Sequence, residues 1–157
     1  MGLASHLGPW LLGTVKDTTG TTSGTIRNMG ATVAAQSKAV AFGDSSATQA
    51  FVLPAGALIT DMQVITTTAF TATAVITLSI GATAISTASA IVTAGSNAVA
   101  VAATAGAAAL IANVGTTDAI VTYTVTGTSI VAGAGILVVQ YIVRLSDGSY
   151  APTAYTA

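Results

Sequence analysis

No Asp, Glu, Lys or Arg occurs between Met62 and Thr117, and this gap restricts the possible folds more than any other feature of the chain. All 157 residues together hold four Lys or Arg and five acidic residues, which is 6% charged against about 25% in an ordinary soluble domain. A chain with so few charges must hide most of its apolar surface in a core, in a membrane or against other protein chains.

The kinds of apolar residue favour β-structure. They are mostly Ala, Val and Ile, and Thr and Gly fill much of the remainder. Val, Ile and Thr are branched at Cβ, so they lose rotamer freedom in a helix and suit the pleated surface of a sheet. Glu is absent and Lys is rare, so the usual residues of surface helices are missing. We therefore predict an all-β chain, with a length that fits one domain.

Short alternating segments between turn residues place the strands. The clearest is 119–126, in which Val121, Tyr123 and Val125 alternate with threonines. The strand candidates are 32–42, 48–53, 57–68, 73–80, 83–86, 90–93, 97–102, 108–114, 119–126 and 136–145. About eight strands spaced by about 8–12 residues are typical of an antiparallel β-sandwich or a barrel.

The two ends of the chain differ from this pattern. Residues 1–30 combine an apolar island broken by Gly and Pro with a polar run of Thr, Ser and Gly, which predicts an extended arm that becomes ordered on a neighbour. We assign 31–145 to the sandwich domain and 146–157 to an irregular tail. Trp10 either anchors the arm on a partner or caps the domain's own core. The candidate interface residues are Trp10, Leu11, Leu12, Arg27, Tyr150 and Tyr155.

The chain offers little for catalysis or for a cofactor. There is no Cys, and the one histidine, His6, lies in the arm, where a general base would not be held in place. No closely spaced carboxylates form a calcium loop, and Gly133-Ala134-Gly135 lacks the Lys and helix of a phosphate loop. We expect no enzymatic activity, no catalytic residue, no metal and no cofactor.

The acidic residues have structural interpretations. Four of them lie in the arm or at predicted turns, where Asp usually caps its own backbone: Asp17, Asp44, Asp118 and Asp147. Asp61 lies inside a strand and is a candidate buried or interface partner for Arg144 or Lys38. Nucleic acid is not an expected partner, because the basic residues Lys16, Arg27, Lys38 and Arg144 are scattered and the net charge is −1.

The segment 98–112 is the best candidate for a membrane span, but it does not fit one. A spanning helix needs about 20 predominantly apolar residues. This segment is shorter, contains Gly106 and lacks flanking Lys, Arg and aromatic anchors. The first residues also lack the positive charge that begins a secretory signal. We expect no membrane partner, and we interpret 98–112 as strand, turn and strand rather than as a helix.

One family resemblance covers roughly residues 48–145. The segment Phe51-Val-Leu-Pro-Ala-Gly-Ala-Leu-Ile-Thr-Asp-Met-Gln-Val-Ile-Thr-Thr-Thr-Ala-Phe70 resembles a pattern in small structural proteins of tailed bacteriophages. Asn113-Val-Gly-Thr-Thr-Asp118, the strand 122–127 and Gly135-Ile-Leu-Val-Val-Gln-Tyr-Ile-Val143 continue it. The family is the head decoration (cement) proteins, and the resemblance implies a jelly-roll-like sandwich that forms homotrimers on the outer surface of the capsid.

These observations lead to one leading hypothesis and one alternative. The leading hypothesis is a virion structural protein that binds itself and the major capsid protein and so bridges capsomers. On this interpretation, residues 62–117 lie in the core and at contacts between subunits. The alternative is a tail or fibre module that binds host-surface glycans, for which Tyr150 and Tyr155 are the aromatic candidates.

Overall fold

The computed structural model describes residues 33–71 and 73–143, and within these ranges it confirms the all-β sandwich. The strands are β1 Val33–Ala41, β2 Thr48–Leu53, β3 Leu58–Thr68, β4 Val75–Ile80, β5 Thr83–Ala84, β6 Ser89–Ala90, β7 Gly95–Ala98, β8 Ala119–Thr126 and β9 Ala134–Ile142. One helix, α1, spans Ala105–Ala112 between β7 and β8.

The strands form two antiparallel sheets with a nested order. Sheet I has the order β1-β9-β3-β7, and sheet II has the order β2-β8-β4-β5, with β6 also paired to β4. The first strand therefore pairs with the last, the second with the second last, and the third with the third last. A chain folded back on itself and wrapped around two sheets in this way is a jelly roll.

The core lies between the two sheets and follows from the two-residue period of the strands. In β8, Val121, Tyr123 and Val125 point inward and are buried, whereas the threonines between them point outward. In β9, Leu137 and Val139 are fully buried on the inner side. Complete burial of each such aliphatic side chain stabilises the fold by about 1.5–3 kcal/mol.

The segment 105–112 corrects one prediction. We expected a strand over 108–114, and the structure has the helix Ala105–Ala112 there. Thr104 caps the helix, because its Oγ1 accepts a hydrogen bond from the Ala107 amide at 3.2 Å. Ala is the best helix former, so a run of alanines behind a Thr cap favours a helix in spite of Gly106. The buried methyl group of Ala107 fixes the helix against the sandwich.

One lateral side of the sandwich is closed by backbone hydrogen bonds. The predicted strand 97–102 shifts to Gly95–Ala98, because the chain leaves sheet I after Val99, whose amide still donates to the Met62 carbonyl of β3, and then bonds to the edge of sheet II. The Thr87 amide donates to the Ala100 carbonyl at 2.9 Å, and the Ala102 amide donates to the Ile85 carbonyl at 3.0 Å. The segment between β5 and β6 is therefore paired with the chain that follows β7, which covers its backbone at this side of the sandwich.

The opposite lateral side, between β1 and β2, is joined by a side chain. Gln36 Nε2 donates to the Val52 carbonyl at 3.0 Å and lies 2.9 Å from the hydroxyl oxygen of Tyr141. Lys38 also lies on the inner side of β1, in line with the buried Val40, and its side chain is half-buried. An inward-pointing charge of this kind is a common protection of an edge strand.

Candidate interaction surface

The six predicted interface residues, Trp10, Leu11, Leu12, Arg27, Tyr150 and Tyr155, lie outside the described residues. The structure does show where the segments that carry them join the sandwich. Val33, the first described residue, pairs with Ile142 near the end of β9. Residues 1–32 and 144–157 therefore connect to the sandwich on neighbouring strands, at the same end of sheet I.

The outward surface of sheet I is unusually apolar. We define the outer face of sheet I as Val33, Ala35, Ser37 and Ala39 of β1, Leu58, Asp61, Gln63 and Ile65 of β3, and Ile136, Val138, Gln140 and Ile142 of β9. Val33 is 56% exposed, and Ile65 and Ile136 are each 40% exposed. Antiparallel sheets with one face in water usually carry polar side chains there, so this surface has the composition of a contact surface.

The register brings these apolar side chains together in rows across the sheet. Ile136 on the central strand β9 lies opposite Ala39 of β1 on one side and Ile65 of β3 on the other. At the far end of the sheet, Ile142 lies opposite Val33 and Leu58 in the same way. Directly opposed residues share one face, with Cβ atoms about 4.5–5.5 Å apart, so each row forms a continuous apolar strip.

The outward surface of sheet II has a different chemistry. Hydroxyl side chains fill its centre: Thr122, Thr124 and Thr126 of β8, and Thr77 and Ser79 of β4. An exposed apolar pair, Val52 and Ile120, lies at one end of this face. The two sheets thus have similar inner faces and opposite outer faces, one aliphatic and one lined by hydroxyl groups.

The charge on the outer face of sheet I comes from Asp61, which corrects a prediction. We considered Asp61 a partner of Lys38 or Arg144. Asp61 lies opposite Gln140 on the outer side of sheet I and is exposed, whereas Lys38 lies on the inner side. The sheet separates the two side chains, so they do not form an ion pair. Arg144 lies outside the described residues.

Two other carboxylates hold loops at opposite ends of the sandwich. Asp44 accepts the amide of Ala41 at 2.9 Å and the hydroxyl of Tyr123 at 2.5 Å, which anchors the β1–β2 loop to β8. Burial raises the pKa of the Tyr123 phenol above its usual value, and the hydrogen bond and negative charge of Asp44 raise it further. Asp118 accepts the amide of Ala55 at 3.0 Å across two loops. The prediction that Asp at these turns caps its own backbone is confirmed for Asp44, whereas Asp118 binds the amide of a loop distant in sequence.

A shallow groove of about 400 Å³ lies on the described surface, at the end of the sandwich that carries the β1–β2 and β8–β9 loops. Its lining has no titratable side chain and consists of Phe42, Gly43, Ser45, Val125, Thr126, Gly127 and Ile130. Over residues 33–71 and 73–143, no three His, Cys, Asp or Glu side chains come close enough to hold a metal ion. In the same ranges, no helix has the length and apolar character needed to cross a bilayer.

Comparisons with family models, with curated proteins and with solved structures found no match to this chain. The fold and the outer face of sheet I therefore define the protein at the level of a class: a charge-poor jelly-roll sandwich with one aliphatic outer face.

We did not predict from the sequence that four aliphatic residues lie on the surface: Ile65, Ile136, Val138 and Ile142. The sequence nevertheless contains a pattern that indicates an apolar outer face. The strand β9 is apolar at both its odd and its even positions, whereas β8 is apolar at alternate positions and has threonines between them. A strand that is apolar on both faces is usually buried on both faces. This difference between two strands of one sandwich distinguishes an apolar outer face from a polar one.

Proposed function

We propose that this chain is a capsid decoration (cement) protein, a viral structural protein that stabilises a phage head by bridging capsomers. The observation that carries the proposal is the aliphatic outer face of sheet I on a jelly-roll sandwich. The resemblance of residues 51–70 and 135–143 to phage structural proteins supports it. The low charge of the whole chain supports it as well, because such a chain is most stable with much of its surface covered by protein.

Two kinds of contact carry out this role. Copies of the chain bind each other as a homotrimer through charge-poor surfaces of the sandwich. Residues 1–30, with Trp10, Leu11 and Leu12, bind the major capsid protein at the outer surface of the shell. Both terminal segments join the sandwich at the end where Val33 pairs with Ile142, so that end faces the capsid. Several weak contacts held in one oligomer add by effective concentration, which strengthens the shell without any single tight site.

The experiment that tests this function is decoration of purified capsids that lack the protein. Deletion of residues 1–30 should abolish capsid occupancy, measured by co-sedimentation, and should leave the β-sheet circular dichroism signal unchanged. A deletion of residues 1–5, which keeps Trp10, Leu11 and Leu12, is the matched control and should decorate as the full chain does. Unchanged occupancy after deletion of residues 1–30 would contradict the proposed role of the arm.

The alternative function, a tail or fibre module that binds host-surface glycans, needs aromatic side chains on which sugars stack. Among the described residues, Phe42 is the one exposed aromatic side chain, at the edge of the shallow groove. Reproducible glycan-array binding by the full chain that is lost in Phe42→Ala would favour the alternative over capsid decoration.

A further inference from the structure

The geometry points to the outer face of sheet I as the surface through which copies of this chain contact each other, with a second copy of the same face as its partner. This inference rests on the proposed function, since it names the partner of one surface of the proposed decoration protein. The mass of the free protein tests it without any capsid.

The first argument is the contrast between the two outer faces. Both belong to one sandwich and face the same solvent. The sheet II face has hydroxyl groups at the centre of β8 and β4, where water solvates them. The central strand of sheet I has three aliphatic residues and one amide, Ile136, Val138, Gln140 and Ile142, at the equivalent outward positions. Water favours the first arrangement and disfavours the second, so sheet I is the face that needs a partner.

The second argument is the size of the face. Strands lie about 4.8 Å apart and rise about 3.3 Å per residue, so three long strands and the short β7 present about 500 Å². Two copies packed face to face would bury about 1,000 Å² in total, which reaches the lower limit of specific protein interfaces. Such a face-to-face contact joins two copies across a two-fold axis, so a homotrimer would use a further charge-poor surface of the sandwich. The outer face of sheet I is therefore large enough to hold copies together.

The third argument concerns the size of the outward side chains and the position of charged residues on the face. The outward residues of β1 are small, namely Ala35, Ser37 and Ala39, so a second sheet can approach to about the 10 Å spacing of stacked sheets. The central strand β9 has no charged residue within Ala134–Ile142. Asp61 lies on β3 beyond the four residues that β7 pairs, 63–66, and so lies at the margin of the face. Contact between copies would not bury a charge at its centre.

The test compares two lysine substitutions on central strands of the two sheets. Ile136→Lys places a charge on the central strand of the outer face of sheet I, and Thr124→Lys places the same charge on the central strand β8 of the outer face of sheet II. The full chain is measured by sedimentation equilibrium from about 1 to 100 μM. We expect wild type and Thr124→Lys to have the same mass, a multiple of 15.2 kDa, and Ile136→Lys to dissociate at least about 100-fold more readily.

A second variant is used if Ile136→Lys does not fold. If Ile136→Lys loses its β-sheet signal, Val33→Lys replaces it, because Val33 is 56% exposed at the start of the edge strand β1 and tolerates a long side chain. A monomeric wild type over the whole range would overturn the inference and would indicate that the chain's own terminal segments cover the face. Equal dissociation of Thr124→Lys and Ile136→Lys would overturn it too. Failure of the wild-type oligomer to bind purified capsids, while Ile136→Lys still dissociates that oligomer, would instead contradict the proposed function alone.

Discussion

Gly133 lies in the loop that joins β8 to β9. A substitution at Gly133 tests how tightly this loop packs against Phe70. The backbone of Gly133 has φ +140°, a region that L-residues rarely adopt. A Cβ atom built on Gly133 would lie 2.3 Å from the ring atoms Cγ and Cδ1 of Phe70, and 2.8 Å from the Cα atom of Phe70. Phe70 is buried, and its main chain cannot move away alone, because the neighbouring Thr71 amide donates to the Ala132 carbonyl.

Two costs add in the Gly133→Ala variant. A residue forced into a sparsely populated φ region loses about 1–3 kcal/mol. Crowding of one extra carbon into a filled site loses about 1–3 kcal/mol more. We therefore expect Gly133→Ala to lower the free energy of unfolding by about 2–6 kcal/mol, a large part of the roughly 5–15 kcal/mol available to a domain of this size.

Gly95→Ala is the matched control for this prediction. Gly95 also has a positive φ, +118°, but a Cβ atom there would meet nothing within 4 Å. It should therefore show the backbone cost alone. Urea unfolding at 25 °C measures both variants, with the slope m checked for constancy. If Gly133→Ala costs no more than Gly95→Ala, within about 0.5 kcal/mol, the close approach of Gly133 to Phe70 is refuted.

Three further predictions concern a buried hydroxyl and the helix. Because the folded state raises the pKa of Tyr123, the folded chain keeps a proton that the unfolded chain loses near pH 10, so stability should fall as the pH rises above about 10. Tyr123→Phe should remove this fall in unfolding scans from pH 8 to 11.5, and an unchanged slope would contradict it. Thr104→Ala should lose about 0.5–2 kcal/mol of urea stability that Thr104→Ser keeps. Gly106→Ala should gain about 0.5–1 kcal/mol, since its Cβ would meet only a methyl carbon at 3.5 Å, and a loss would refute this packing.

The bounds of a strand can be predicted from the sequence when its apolar and polar residues alternate regularly or when turn residues end it. For β8 and β2 the predicted and observed bounds agree, because turn residues end both strands and because apolar and polar residues alternate in β8. The pattern fails over 97–114, where Ala is frequent. Alanine is small enough for either face of a sheet and is also the best helix former, so a run of Ala carries no period. Thr104 is a residue that typically caps a helix and so could have indicated one. The valines before Ala105 and the glycine Gly106 favoured strands instead.

The candidate site was less predictable than the fold. Low charge alone indicated that some surface is covered, but it could not identify the surface, since residues 62–117 supply core, exposed loops and helix alike. Identification needed the register, which places Ile136 between Ala39 and Ile65 although these residues are far apart in sequence. The predicted anchors in the arm and the tail remain predictions, because they lie outside the described residues.

The jelly-roll order would let a single chain place the proposed self-contact and the proposed capsid contact next to each other. The nesting of strands pairs the first strand with the last, and β9 also pairs with β3, so the closing strand lies inside sheet I. The segments that precede Val33 and follow Val143 therefore begin beside the aliphatic face, while the hydroxyl face of sheet II points away. In the proposed assembly, contact between copies brings several arms to one place on the shell, and the threonine and serine hydroxyls of sheet II keep a nearly uncharged surface hydrated. A substitution that separates the copies should then weaken capsid binding by removing avidity, although it touches no residue of the arm.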